Sequence, residues 1–142
     1  MSFCDPTTVL VGAACLAFAL FVLSERWRML ALHYAGKPRG ALQASKALDS
    51  LVLERPGGYG RRYAINPTAV GVYSGGLALR SVFPLQWFKQ PLFLPFDEMQ
   101  LRPTSWPGLT DPHAVRMART DDVEVVLSSP QLRWIRDNGG PI

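Results

Sequence analysis

The 142-residue sequence predicts an N-terminal transmembrane helix followed by an α+β body, in which short antiparallel strands lead to a C-terminal helix. Three observations carry this expectation. Thr7 to Leu23 is an uncharged, apolar run. Two stretches of alternating apolar residues meet across short turns, one at Gly75-Gly76 and one at Thr120-Asp121-Asp122. Near the end, Ser129-Pro130 precedes a short run of helical composition that Gly139-Gly140-Pro141 stops.

The first run holds 17 residues without a charge and reaches about 25 Å as a helix, close to the thickness of a bilayer core. Asp5 is placed to cap it and Pro6 to occupy its first position. Ser24-Glu25-Arg26-Trp27-Arg28 closes it with charge and an aromatic ring. The residues before the run contain no Lys or Arg and no cleavage site immediately precedes Ser24, which favours a retained anchor over a secretory leader.

Charge is uneven along the chain. Residues 24–62 carry eight basic and three acidic side chains, a net of +5, whereas residues 63–142 carry seven of each. Basic residues just after an apolar run place them at a cytoplasmic lipid surface rather than on nucleic acid. The expected topology is single-pass in a bacterial inner membrane, N-terminus outside and C-terminal domain cytoplasmic. Arg26, Trp27, Arg28, Tyr34, Lys37 and Arg39 are then the membrane-interface residues.

Trp27, Leu30, Ala31 and Tyr34 share one face of a second helix, which Gly36-Lys37-Pro38-Arg39-Gly40 ends. The division expected is an anchor and interfacial helix over 1–35, a basic linker over 36–62 and a β domain over 63–142. Within the linker, residues 41–53 suit either a short helix or an extended arm, and Pro56-Gly57-Gly58-Tyr59-Gly60 is turn chemistry.

In the β domain, Ala69–Ser74 and Leu77–Phe83 form a hairpin whose two glycines supply positive φ angles. Leu92–Phe96 is a strand that Pro95 confines to an edge or an irregular exit. Residues 103–113, with three prolines, form a loop. Ala114–Arg119 and Val123–Ser128 make a second hairpin, and Ser129 caps a helix over Gln131–Asn138 whose Leu132 and Ile135 dock on the sheet.

Three stretches resemble small bacterial membrane-anchored proteins with a PH-like domain. These are Trp27-x-x-Leu30-Ala31-x-x-Tyr34, Gly76-Leu77-Ala78-Leu79, and Pro91-Leu92-Phe93-Leu94-Pro95-Phe96-Asp97-Glu98-Met99. Phe96 stands where that group has Trp, and Lys89-Gln90 where a His precedes the proline. The resemblance implies a PH-like, strongly bent antiparallel sheet or barrel closed by the C-terminal helix, and it implies no particular activity.

Catalytic and metal chemistry find little support. Cys4 and Cys15 lie in or beside the apolar run, and His33 and His113 are far apart in sequence. Asp121-Asp122-x-Glu124 lacks the spacing of a calcium loop and reads as a polar turn. No catalytic residue, metal or cofactor is assigned. Phe83, Trp87, Phe88 and Lys89, in a proline-bounded connection, are candidates for a contact surface. The functional expectation is a non-enzymatic, membrane-tethered protein-interaction module, such as an accessory subunit of an inner-membrane complex. Its partners are the lipid bilayer and another membrane protein, without nucleic acid or small-molecule substrate. A binder of anionic lipid headgroups and an enzyme of unknown type are the alternatives.

Overall fold

Asp5 begins the first helix as its sequence suggests, its carboxylate accepting the Thr7 N–H at 3.1 Å and its carbonyl accepting the Val9 N–H at 3.0 Å. In this computed structural model, residues 5–23, 25–55, 65–82 and 89–142 are described. The elements are α1 (Pro6–Leu23), α2 (Glu25–Tyr34), β1 (Leu42–Glu54), β2 (Ile65–Tyr73), β3 (Gly76–Ser81) and β4 (Leu92–Pro95). A 3-10 turn at Phe96–Glu98 leads to β5 (Met99–Pro103), β6 (His113–Met117), β7 (Glu124–Leu127) and α3 (Ser129–Asp137).

The transmembrane reading of Thr7–Leu23 does not stand. Among the described residues, no helix is long and apolar enough to cross a membrane. α1 has 18 residues, hence a rise of about 27 Å against a hydrocarbon core of about 30 Å. The single-pass inner-membrane placement, with its outer N-terminus and cytoplasmic C-terminal domain, rested on that span and falls with it.

All strand pairs are antiparallel, in one sheet of order β4-β3-β2-β1-β7-β6-β5. β1 is the central strand. It pairs with β2 along most of its length, from Leu42↔Tyr73 to Val52↔Ile65, and its end, Val52–Glu54, pairs with β7. The stretch read as a basic linker therefore contains the strand that joins both halves of the sheet. Two register shifts explain why its strand character is hard to see. They fall between Leu42 and Ala44 and between Lys46 and Asp49, and each extra residue reverses the alternation that marks a strand in sequence.

Past the second shift, alternation is regular. Leu51 and Leu53 enter the main core, while Val52 turns to the other face beneath Trp106 of the loop between β5 and β6. Val125 and Leu127 of β7 face the main core and Val126 joins Val52 and Trp106. The main core also takes Val70, Val72, Leu77, Leu79, Leu92 and Leu94 from β2 to β4. α2 contributes Trp27, Leu30 and Tyr34, and α3 contributes Leu132 and Ile135.

The turn between β2 and β3 departs from expectation. Positive φ occurs at Gly40, Gly108, Gly139 and Asp111 among the described residues, not at Gly75 or Gly76. Gly76 is needed for space, because a Cβ there would collide with the Leu94 carbonyl of the neighbouring strand. Ser74 pins the turn to the start of β1: its N–H donates to the Ala41 carbonyl at 3.0 Å and its hydroxyl accepts the Ala41 N–H at 3.1 Å.

Both sheet edges are blunted. The link after α2 lies along β4, where Ala35 bridges Leu92 and the Gly36 N–H reaches the Pro91 carbonyl at 3.0 Å. On β5, the bonds Ala118 N–H to Glu98 O (2.9 Å) and Thr104 N–H to Pro112 O (3.1 Å) turn the even-numbered residues toward β6. Pro103 then faces outward with no N–H to offer a further strand.

α3 is capped one residue earlier than the sequence suggests, by Ser128, with Pro130 in its first turn. Gln131 completes a capping box by accepting the Ser128 N–H at 2.9 Å. Its amide donates to the Ser50 carbonyl at 2.8 Å and the Asp49 carboxylate at 3.2 Å, so one side chain both starts the helix and fastens it to β1.

Candidate interaction surfaces

α2 carries four of the six residues read as interfacial, Arg26, Trp27, Arg28 and Tyr34, and its inward side is part of the folded body. Trp27 is fully buried and its indole N–H donates to the Gln90 carbonyl at 2.6 Å. The Lys89 ammonium lies 5.5 Å from the centre of the same ring, with only 3% of the residue exposed. Burial disfavours the charged form and lowers the Lys89 pKa to about 8.

One turn further on, the Tyr34 hydroxyl donates to Glu98 at 3.1 Å and accepts the Arg119 N–H at 2.9 Å. The Arg119 guanidinium grips Glu98 through two bonds of 2.8 and 3.1 Å and stacks 4.6 Å from the Tyr34 ring centre. Arg119 accordingly holds the Glu98 carboxyl below its ordinary range, while burial pushes the Tyr34 hydroxyl up. Tyr34, Glu98 and Arg119 thus clasp α2 to the start of β5 and the end of β6. Burying Trp27, Leu30 and Tyr34 contributes about 1.5–3 kcal/mol each, so apolar packing outweighs the half-exposed ion pair in holding α2.

The other interface candidates are distributed differently. Arg26 is buried, whereas Arg28, Lys37 and Arg39 are exposed, Arg39 standing 5.8 Å from the centre of the Phe93 ring. Of the proposed contact loop, Phe83, Trp87 and Phe88 lie outside the described residues, and Lys89 is the buried cation beside Trp27. The acidic turn does not converge: Glu124 is buried and bound through both oxygens to Arg102, and Asp121 faces Arg116 at 3.5 Å. Among the described residues no three metal-ligating side chains gather.

Two further surfaces stand out among the described residues. The first is α1, which exposes Val9, Leu10, Val11 and Leu16 at 56–70%. The second is a groove of about 550 Å³ over β1, β2 and β3, lined by Lys37, Lys46 and Arg80, with no acidic residue among the described residues of its lining. A comparable groove of about 540 Å³ at the β2–β3 turn pairs Arg39 with Asp97, so its charges offset. The cavity between the core leucines and α3, lined by Leu51, Val70, Leu127 and Ile135 among others, is about 10 Å³, no larger than a single water needs. Sequence reading missed the basic groove because its cations stand at positions 37 and 80 and only the tertiary fold brings them to one lining. It missed Glu98 and Arg119 for the same reason.

No protein-family model matches the chain, and no curated protein matches it significantly. Among solved structures, the chain is similar to the crystal structure of the C-terminal domain of an unknown protein from Leishmania infantum. The identity is 12% over 82% of this chain and 90% of that chain, and the TM-score is 0.38, a likeness too distant to bear on function.

Proposed function

We propose that the chain is a non-enzymatic protein-interaction module, an accessory subunit whose folded body presents α1 to an apolar surface of a protein partner. The exposure of α1 carries the reading. Val9, Leu10, Val11 and Leu16 are more than half exposed, and α1 has no acidic residue in its first turn and no basic residue in its last. A helix that is apolar on every side belongs in a covered setting, because each such side chain left in water forgoes about 1.5–3 kcal/mol of burial.

Photo-crosslinking from Leu16 in cells tests the proposal. The expected result is a crosslink to one partner protein that co-purifies in fixed stoichiometry and is lost on Leu10→Glu, a substitution at an exposed site. Crosslinks to lipid alone, or protein crosslinks indifferent to Leu10→Glu, overturn it.

A further inference from the structure

We propose that the groove over β1, β2 and β3 docks an acidic, amphipathic segment of a partner protein. It is a second contact surface of the interaction module and stands on the groove alone, so the α1 experiment can fail without touching it.

The charge pattern sets the chemistry of the occupant. Lys37 comes from the link before β1 and Arg80 from β3, and among the described residues the lining holds no carboxylate to neutralise them. The accessible part of the lining is largely apolar, with Leu42, Ala47 and Tyr73 among its members. Leu42 is 56% exposed, a large apolar side chain left in water at the groove. A bare phosphate asks for several donors converging on one point and gains nothing from an apolar floor. An amphipathic segment uses both features, its apolar side chains covering the floor and its carboxylates meeting Lys37 and Arg80.

Local backbone geometry supports a site at this place. The β1 register shift between Lys46 and Asp49 sets Ala47 and Leu48 opposite Ala69 alone, and both Ala47 and Ala69 line the groove. Such bulges re-aim side chains and bend the strand beside binding surfaces. Lys46 lines the groove from β1, but it pairs with Val70 and its ammonium lies 4.6 Å from the centre of the Trp134 ring, on the α3 side of the sheet, so the charge of the groove comes from Lys37 and Arg80.

The test uses the full chain and a short synthetic peptide alternating glutamate and leucine. Its controls are a lysine-leucine peptide, a glutamate-serine peptide, inorganic phosphate and vesicles of anionic lipid. The glutamate-leucine peptide is expected to bind, with amide shifts centred on Ala47, Ala69 and Ala78. The double change Lys37→Glu, Arg80→Glu, at two exposed positions, should weaken binding about tenfold or more. Raising salt from about 0.1 to about 0.5 M should weaken it as well. Because both positions are exposed, unchanged amide spectra elsewhere in the variant separate lost binding from lost folding. Three results overturn the proposal: equal binding of the lysine-leucine peptide, indifference to charge reversal, or shifts at other residues. Full displacement by phosphate identifies a small-anion site instead, and binding confined to vesicles identifies a lipid surface; either also overturns it.

Discussion

The indole of Trp27 and the backbone carbonyl of Gln90, 63 positions apart, share a 2.6 Å hydrogen bond inside the body of the protein. This bond and the burial around it make α2 part of the domain rather than an appendage of α1. Trp27→Ala is expected to cost about 3–5 kcal/mol, measured by chemical denaturation of the full chain. An unchanged unfolding midpoint would show that α2 does not contribute to the core.

Lys89 should impose an alkaline pH dependence. Its folded pKa of about 8 lies below the ordinary value, so between about pH 8 and pH 10 the unfolded chain binds more protons than the native one. Stability should therefore rise with pH across that window, before Tyr34, shifted the opposite way, opposes it above pH 10. Lys89→Met should flatten the rise. A slope that survives the substitution would assign it to another group.

The Tyr34–Glu98–Arg119 clasp should act on the acid side. Arg119 depresses the Glu98 pKa, so its contribution is present above the unfolded carboxyl pKa of about 4.3 and is lost as pH falls through the folded value. The stability difference between the native chain and Glu98→Gln should shrink as pH is lowered below about 4. Tyr34→Phe removes one partner from both the Glu98 and the Arg119 backbone contacts, and should cost about 1 kcal/mol near neutral pH. Thermal unfolding across a pH series measures both effects.

Gly76→Ala tests the packing of β3 against β4. The added methyl meets the Leu94 carbonyl, which the ladder holds in place, so a loss of about 1–3 kcal/mol is expected. Gly12→Ala is the control, because a Cβ there meets nothing within 4 Å. Equal tolerance of both changes would mean that β4 is free to move away from β3.

Residues whose partners are local could be read directly. The pattern Trp27-x-x-Leu30-Ala31-x-x-Tyr34 marks a helix because positions three and four apart share a face, and α2 forms there. Alternation within Leu77–Leu79 and Val123–Leu127 marks strands because neighbouring side chains point to opposite faces, and β3 and β7 lie there. Ser-Pro followed by a stop at Gly139 marks α3, although the adjacent serine, Ser128, provides the cap. The groove and the clasp had no such signature, because their members are brought together by pairing between distant strands.

Sequence by itself determined where the backbone turns helical or extended over most of the chain, since those choices depend on side chains within a few residues of one another. It also determined that Thr7–Leu23 is apolar along its whole length. Only the tertiary structure decided what surrounds each surface: that β1 lies at the centre of the sheet, that Trp27 and Tyr34 face the core, and that no helix among the described residues can cross a membrane. The reason is physical. Apolar composition makes leaving water favourable whatever the new neighbour is, whereas the identity of the neighbour depends on register, bulges and length, which are settled between segments far apart in the chain.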